Sequence, residues 1–558
     1  MRVEIDIAEA GGAPRGAAGA VLATPRRRAR LDGFERATLA IFALFSLWIL
    51  ALDLWQVVVN GRVWTGTDGI YLVDQMQYLA WIREASHHVL ASNLFVLHPT
   101  TADYFQPGVA LSGGLAALGM APWLSLLLWK PVAVGCAFFA VLAYCRRSLV
   151  GLWPRRIALV LALFFGSFSV VYGDFNVVGD LFLGFLSWGY TFGLLAVALM
   201  VFALLGYDRA RTSGRRIWLP GVLGAAAGLL HPWQGEFLIV LVIGAELVMW
   251  RVTGQRLRRV RPALVTLILT GIPLLYYLIL GRTDLSWTLA REASKHAFSL
   301  GAIALAVLPL AVPALLGYRG RSASFITVLS RTWPVAALAV WVLSATELSA
   351  TPLHAFDGIT IPLAVLAVQG VQRLSPAPLA RPRLAAGLAL GLFTLPANVY
   401  LLASSVGLAK PQAGNANFIS ADEHSALRYL ERNPQRGGVL TRFYLGTIVP
   451  AQTGRASFVG DCLWSEPNCN GRAEEAQYLF DGRLSGASAR SFVRDSGARF
   501  VLADCSTTSG LPSTLAPLTV SITRFGCASV YELDAPGRPT GPLAQSPGNA
   551  AVRASWRQ

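Results

Sequence analysis

An aspartate at the head of an Asp-Gln-x-x-Tyr pattern is the first candidate for chemistry in this chain. Asp74 is followed by Gln75 and, four residues on, by Tyr78, in a segment with the apolar spacing of a helix. A carboxylate placed against a hydroxyl acts as a general base. We therefore predict Asp74 as a catalytic base and Tyr78 as a substrate contact, with Asp68 as the second candidate base and Asp53 as a third. Capping of the helix is the alternative role for Asp74.

Basic residues near the ends of apolar stretches form a second set of candidates. An arginine or lysine stabilises a phosphate that develops charge as it leaves. Lys130 is the most unusual, because a lysine at the centre of a membrane span costs about 2.5–3.5 kcal/mol on insertion scales. Its alternative role is to extend to the membrane surface. The predicted phosphate-binding residues are Lys130, Arg62, Arg83, Arg282 and Lys295, with Arg291 beside them.

Two histidines stand at tight turns between apolar stretches. The first turn reads His231-Pro-Trp-Gln-Gly-Glu236, and the second reads His354-Ala-Phe-Asp357. We predict substrate binding by His231, Trp233, His354 and Asp357, with capping of helix ends as the alternative. These turns lack the ligand spacing of a metal motif, so no metal site is predicted. A divalent metal remains open as a cofactor.

The composition shows what kind of molecule must position these residues. The chain has 558 residues, 54% hydrophobic and 14% charged, with a mean hydropathy of +0.51. Soluble domains carry roughly a quarter charged residues. The net charge of +16 would suggest nucleic acid in a soluble protein. Here it lies mainly in short loops between apolar stretches, which excludes nucleic acid as a partner.

The apolar stretches predict a polytopic α-helical membrane protein with about eleven spans. The division at His231 follows from the proline at 232, which disfavours helix at the residue before it. With the N-terminus in the cytosol, 26 arginines fall inside and five basic residues outside before residue 403. This bias predicts a multi-pass plasma-membrane protein with an outer C-terminus. The predicted spans are 37–59, 122–144, 157–172, 186–205, 218–231, 237–250, 263–280, 298–316, 333–348, 358–371 and 384–402.

Acidic residues follow the opposite distribution and favour an outward-facing acidic cavity. The acids assigned outside are Asp68, Asp74, Glu84, Asp103, Asp174, Asp180, Asp284, Glu292, Glu347 and Asp357. The first outer loop, residues 60–121, is long. It predicts a helix from Asp74 to Ala85 lying in the membrane interface. A second apolar helix, too short to span, is expected from Pro107 to Met120.

The ends of the chain differ from its centre. Residues 1–36 predict a disordered basic cytosolic tail, and residues 37–402 form the membrane domain. Residues 403–534 predict an extracytoplasmic α/β domain, and 535–558 a disordered tail. Strands are expected at 438–440, 499–502 and 527–533, and helices from Ser420 to Leu430 and over 488–495. The loop from Gly460 to Trp464 is a candidate saccharide contact or a purely structural loop.

Four cysteines lie in the C-terminal domain, at 462, 469, 505 and 527. On the oxidising side of a membrane they suit two disulfides. Cys462–Cys469 and Cys505–Cys527 are the favoured pairs among three pairings. A zinc site is the competing interpretation, but the pairs lack CxxC spacing.

This order of features resembles the GT-C superfamily of integral membrane glycosyltransferases. The resemblance rests on a first span, a large outer loop with a helix headed by Asp74-Gln-x-x-Tyr78, a Pro-Gly-led apolar helix, many spans and an outer C-terminal domain. Members often show Asp-Glu-x-x-Tyr, so the glutamine at 75 removes a second carboxylate. Bacterial mannosyltransferase-like members are the most similar.

The resemblance implies an inverting hexosyltransferase that uses a polyprenyl-phosphate sugar, with mannose as the sugar suggested. The acceptor would be an extracytoplasmic lipid, glycan or protein in envelope biosynthesis, and membrane lipids would surround the enzyme. Two other functions stay open. One is a transporter or flippase of lipid-linked sugars, although no internal repeat is visible. The other is a non-catalytic protein that binds or assembles envelope polysaccharide.

Overall fold

The protein is described by a computed structural model covering residues 30–167, 179, 181–253, 260–294, 300–319, 324–344, 346, 352–374, 382–408, 415–507 and 510–534. Several residues named above lie outside these ranges: the tail residues 1–29 and 535–558, and Asp174, Asp180, Lys295 and Glu347.

Helices dominate the first three quarters of the chain. They are α1 (Gly33–Ser46), α2 (Trp48–Asn60), α3 (Leu72–Ala85), α4 (Pro107–Ala117), α5 (Pro122–Leu127), α6 (Trp129–Ser148), α7 (Leu152–Phe164), α8 (Leu183–Leu186), α9 (Thr191–Ser213), α10 (Leu219–Leu230), α11 (Pro232–Thr253), α12 (Val260–Thr283), α13 (Leu285–Ser294), α14 (Leu300–Leu316), α15 (Phe325–Leu343), α16 (Thr360–Leu374) and α17 (Pro382–Leu408). A 3₁₀ helix, Pro352–Phe356, precedes α16.

Within the described residues, four helical segments are long and apolar enough to cross a membrane: Pro122–Ser148, Thr191–Ser213, Val260–Thr283 and Phe325–Leu343. The pair α1 and α2, bent by 44°, makes a fifth if it is one broken span. Several shorter apolar helices accompany them. The predicted class, a polytopic α-helical membrane protein, is confirmed, and the number of eleven spans stays a prediction.

Two helix boundaries show how local sequence sets the fold. The first helix begins at Gly33, inside the predicted tail, because Asp32 and Glu35 form a capping box with N···O distances of 2.8 and 3.0 Å. The predicted division before Pro232 is confirmed: α10 ends at Leu230 and α11 begins at the proline. Proline fits that first position because the amide it lacks would be unpaired there anyway.

The 60–121 segment contains a short strand, β1 (Val63–Trp64), followed by α3 and α4. That α3 lies in the membrane interface stays a prediction. The helix packs against both α4 and a helix of the C-terminal domain, α19 (Phe443–Thr453). Its polar Gln75 and Gln77 are buried, whereas Asp74, Arg83 and Glu84 are half-buried. The helix α4 starts where predicted, with the Gln106 side chain accepting from the Val109 amide at 2.7 Å.

The C-terminal domain is a small α/β unit. Its strands are β2 (Phe418–Ile419), β3 (Val439–Leu440), β4 (Phe500–Ala503), β5 (Thr519–Phe525) and β6 (Ala528–Leu533), and its helices are α18 (Ala421–Arg432), α19, α20 (Cys469–Phe480), α21 (Gly486–Asp495) and α22 (Leu511–Leu515). A short 3₁₀ helix, Ala516–Leu518, follows α22. The four-stranded sheet has the order β3-β4-β6-β5, with β3 and β4 parallel and the other pairs antiparallel. The capping box at Ser420 is present. The strand β5 and the helices α19 and α20 were not predicted.

The C-terminal domain and the 60–121 segment are joined by hydrogen bonds and rings. Strand β1 pairs with β2, and the Thr65 hydroxyl donates to the Ala416 carbonyl at 2.7 Å. Trp464 lies 5.4 Å from Trp81 and 4.8 Å from Trp287, measured between ring centroids. These contacts place loops of the C-terminal domain directly beside α3.

Both favoured disulfides are formed. Cys462 is bonded to Cys469, and Cys505 to Cys527. Cys136 and Cys145 are free thiols in the helical domain. The zinc interpretation of the C-terminal cysteines is therefore wrong in this structure, because all four sulfur atoms are used in disulfides.

Candidate functional site

Asp74 is held in the first turn of α3, half-buried between the helical and C-terminal domains. The N-cap residue of this helix is Tyr71, so Asp74 does not occupy the capping position. Burial raises the pKa of Asp74 above that of an ordinary aspartate, and the nearby His354 acts in the opposite direction. A carboxylate with a raised pKa is a stronger base when it is ionised.

A second carboxylate comes to Asp74 from the C-terminal domain. Asp461 lies in the Gly460–Trp464 loop, and its Oδ1 accepts from the Leu463 amide at 2.9 Å. Burial, together with the nearby charge of Asp74, raises the pKa of Asp461 to about 7. Because like charges oppose each other in a buried site, these two acids do not ionise independently.

The two histidine turns meet beside this acid pair. His354 Nδ1 lies 3.5 Å from Asp357 Oδ2, and His231 Nδ1 lies 4.0 Å from the same oxygen. The Gln234 amide donates to that oxygen at 3.1 Å and also contacts His231 Nδ1 through its carbonyl. We call the set Asp74, Asp461, His231, His354 and Asp357 the acid–histidine pocket.

Aromatic rings line this pocket. Tyr190 stacks on His354 at 5.7 Å with an interplanar angle of 12°, and its hydroxyl lies 2.7 Å from His231 Nε2. Trp233 is half-buried, with its centroid 4.6 Å from each histidine ring. Tyr78, one turn after Asp74, packs against Phe192 at 5.0 Å. Such rings offer the flat apolar faces that stack on a sugar ring.

The second candidate base is in a different environment. Asp68 forms a buried ion pair with Lys130, whose Nζ also donates to the Ser187 carbonyl at 3.0 Å. Asp53 is buried close enough to interact with both charges, and neither of its carboxylate oxygens has a hydrogen-bond partner among the described residues. We call Asp53, Asp68 and Lys130 the ion-pair cluster.

Close backbone packing fixes the loop that carries Asp68. The backbone of Asp68 exchanges hydrogen bonds with the Gln75 side chain, at 2.7 and 2.9 Å. Gly69 has a φ of +129°, and a Cβ there would lie 1.8 Å from the Trp188 carbonyl oxygen. Gln75, the residue that replaces the usual acid of the motif, therefore serves to hold this loop.

Two of the predicted phosphate-binding residues are already paired with carboxylates, and Lys295 lies outside the described residues. Lys130 is occupied by Asp68, and Arg83 pairs with Glu431 on α18. Arg62 is half-buried before β1, while Arg282 is exposed at the end of α12. Of the predicted substrate residues, His231, Trp233, His354 and Asp357 do meet, and Tyr78 lies on the same side of α3 as Asp74, one turn away.

Three residues of the pocket were not predicted as site residues. The Tyr190 hydroxyl bridges the two histidines, and Gln234 bridges His231 and Asp357. Asp461 approaches from a loop far along the chain. Gln234 was within reach of prediction because it lies in the His231 turn. Nothing in the local sequence signals Tyr190. The sequence predicts the Gly460–Trp464 loop, which contains Asp461, only as a saccharide contact or a structural loop.

The whole chain was also compared with known proteins. No protein-family model matches the sequence, and no curated protein is similar enough to match. Solved structures do match. The oligosaccharyltransferase AglB of Archaeoglobus fulgidus, in complex with an inhibitory peptide and a dolichol-phosphate, gives a TM-score of 0.50 at 14% identity, covering 92% of this chain and 75% of that one. The same enzyme tethered to an acceptor peptide also gives 0.50, at 12% identity and the same coverage.

The arabinofuranosyltransferase AftD from mycobacteria gives a TM-score of 0.52 at 16% identity. The match covers 91% of this chain but 42% of AftD, so this chain spans less than half of that protein. AglB and AftD are both GT-C membrane glycosyltransferases. This chain is therefore a multi-pass membrane protein with the GT-C fold, as the resemblance implied, while the likeness to mannosyltransferases stays a prediction.

Proposed function

We propose that this chain is a membrane glycosyltransferase that transfers a sugar from a polyprenyl-phosphate donor to an acceptor hydroxyl. The observation that carries the proposal is the placement of Asp74. A carboxylate with a raised pKa lies between the helical domain and the C-terminal domain of a GT-C fold, beside aromatic rings and histidines. A lipid-borne donor and a polar acceptor could both reach such a position.

The proposed reaction is a direct displacement. Asp74 takes the proton of the acceptor hydroxyl, the acceptor oxygen bonds to the anomeric carbon, and the bond from that carbon to the phosphate oxygen breaks. The anomeric centre is inverted, and the polyprenyl phosphate leaves with the electron pair. Arg62 and Arg282 remain the candidates to stabilise this phosphate. Support for a lipid phosphate comes from AglB, which was solved with a dolichol-phosphate.

The finer assignment follows the resemblance. We propose a hexose, with mannose as the first to test, and an extracytoplasmic lipid, glycan or protein as acceptor. The histidine turns and Trp233 would bind the sugar. The site faces outward across the plasma membrane, with the N-terminus in the cytosol, as the positions of the arginines indicate.

The first prediction concerns the base. Purified protein is incubated with radiolabelled polyprenyl-phosphate sugars and envelope acceptors, and Asp74→Asn is compared with wild type. We expect turnover to fall by roughly 10²–10⁴-fold, the usual contribution of a positioned general base, with donor binding kept. The substitution is nearly isosteric, which limits any effect on packing.

The matched control is Asp495→Asn, which neutralises an exposed aspartate at the end of α21. It should leave turnover unchanged. Normal turnover of Asp74→Asn would contradict the assignment of the base. An absence of transfer from every donor by the wild-type protein, with binding of envelope polysaccharide retained, would instead favour the non-catalytic function.

A further inference from the structure

Three buried side chains, His231, His354 and Asp357, bring one donor atom each to a common point. The three atoms all lie within 4.8 Å of one another. We propose that these residues bind a divalent transition-metal cation of the Zn²⁺ class. The donor set of two imidazoles and one carboxylate is one that zinc uses when a coordination position is left open.

The hydrogen bonds around the two rings match those of metal-binding histidines. Such a histidine binds the ion through one ring nitrogen and holds a hydrogen-bond partner at the other. Here both Nδ1 atoms face Asp357 Oδ2, at 3.5 and 4.0 Å. The Gln234 carbonyl also contacts His231 Nδ1, so the ion would replace that contact when it binds. Both Nε2 atoms face the Tyr190 hydroxyl, at 2.7 Å from His231 and 3.4 Å from His354. A single tyrosine thus orients both rings toward the same carboxylate.

The Asp357 carboxylate is also oriented by its neighbours, as a metal ligand would be. Gln234 donates to Asp357 Oδ2 at 3.1 Å, which fixes the side chain from the far end of the His231 turn. The other oxygen, Oδ1, is buried with no hydrogen-bond partner among the described residues. The ion-pair partners of Asp357 in the same part of the chain are the two histidines. A buried carboxylate without a lysine or arginine is costly unless a cation compensates it.

The spacing requires a small contraction. Zinc–nitrogen bonds of about 2.0–2.1 Å in a tetrahedron set the donor atoms about 3.3 Å apart. The separations of 3.5 and 4.0 Å are somewhat longer. The donors come from two short segments, the α10–α11 break and residues 354–357, where Asp357 directly follows the 3₁₀ helix Pro352–Phe356, and neither is inside a long helix. Binding would pull these two segments together, so the ion should also stabilise the fold.

The test uses the full chain, purified in detergent without a polyhistidine tag or reductant, so that the disulfides stay closed. The protein is stripped with a chelator, and Zn²⁺, Mn²⁺ and Mg²⁺ are then offered separately. We expect one Zn²⁺ per chain by elemental analysis, an increased melting temperature, and the visible absorption of tetrahedral Co²⁺ after cobalt substitution.

Three variants locate the ion. Asp357→Asn and His354→Ala should weaken Zn²⁺ by more than 100-fold, and Tyr190→Phe by about 10–100-fold, since it removes only the orienting hydroxyl. The control His424→Ala, which removes a histidine in α18, should keep full binding. Asp357→Asn keeps shape and size, so it remains informative if His354→Ala does not fold.

The proposal is overturned if the wild-type chain binds no Zn²⁺, or if binding survives both Asp357→Asn and His354→Ala. Exclusive binding of Mg²⁺ would also overturn the assignment to the zinc class. None of these measurements uses sugar transfer, so failure of the glycosyltransferase proposal would leave this one standing, and the reverse also holds.

Discussion

Two buried polar clusters flank the start of α3, and they differ in how their charges are compensated. In the ion-pair cluster, Lys130 neutralises Asp68 directly and donates a further hydrogen bond to a backbone carbonyl. In the acid–histidine pocket, Asp74 and Asp461 oppose each other, and among the described residues the ion-pair partners of Asp357 are the two histidines. The Asp68–Lys130 pair compensates itself and serves the fold, although Asp53 of the same cluster has no hydrogen-bond partner among the described residues. A cluster that lacks positive charge is stabilised by binding a proton, a positively charged part of a substrate or a metal cation, which makes it a candidate functional site.

Lys130 serves as a partner for a buried carboxylate in the structure, whereas the sequence suggested that it binds phosphate. A lysine in an apolar stretch suggests function when only the sequence is known, because its insertion is costly. The structure gives it a partner, Asp68, which removes most of that cost. Asp68 is for the same reason a poor base, since its carboxylate is already committed to a cation.

The largest expected effect on stability tests this role. Lys130→Met should destabilise the protein by about 3–5 kcal/mol, because it leaves the buried carboxylate of Asp68 without its cation. Thermal unfolding in detergent measures the loss. The double variant Lys130→Met/Asp68→Asn should recover a large part of it, because neither partner is then left alone. If Lys130→Met instead keeps its stability and loses affinity for a polyprenyl-phosphate donor, Lys130 is a phosphate ligand, as the sequence suggested.

The sequence predicted the features that depend on local rules. Proline at 232 predicted the helix break that places His231, and the Ser420 capping box predicted the start of α18. Cysteine positions predicted the two disulfides. The order of long features, from the first span to the C-terminal domain, was enough to suggest the GT-C fold.

Contacts between distant residues could not be predicted in this way. Asp68 and Lys130 are 62 residues apart, and β1 pairs with a strand more than 350 residues later. The apolar residues expected on one face of α3 are largely buried, but Gln75 and Gln77 are buried as well, because α4 and the C-terminal domain cover much of the helix. Periodicity reports which residues avoid water. It does not say whether lipid or protein covers them.

The next effect concerns Asp461 and depends on pH. The pKa of Asp461 is about 7 in the folded protein, compared with 3.8 for an ordinary aspartate. Between these two pH values, the folded protein holds a proton that the unfolded chain has lost. The stability contributed by Asp461 is therefore complete below about pH 4 and falls as the pH rises to 7, by on the order of 1–3 kcal/mol. Melting curves between pH 5 and about 7.5 should show this decline.

Asp461→Asn should remove that part of the pH dependence, because asparagine keeps the Oδ1 acceptor for the Leu463 amide and does not titrate. The control Asp495→Asn changes an exposed aspartate of the same domain and should leave the decline in place. A decline that is identical in Asp461→Asn and wild type would show that Asp461 is ionised throughout. Asp461 would then no longer support the difference between the two clusters.

The smallest expected effect concerns Arg83, which belongs to neither cluster. It was predicted to bind the donor phosphate, yet it pairs with Glu431 where the two side chains are 24% and 36% exposed. Partly exposed ion pairs contribute about 0–1 kcal/mol, because water screens the charges and ordering two long side chains has an entropic cost. Arg83→Gln should therefore change the melting temperature little and leave turnover and donor affinity unchanged. Arg62→Gln is the informative counterpart, since Arg62 has the same charge and lies before β1 at the start of the same segment. If Arg83→Gln weakens donor binding more than Arg62→Gln does, the phosphate lies on the Glu431 side of α3, and the acid–histidine pocket cannot be the place where the sugar leaves it.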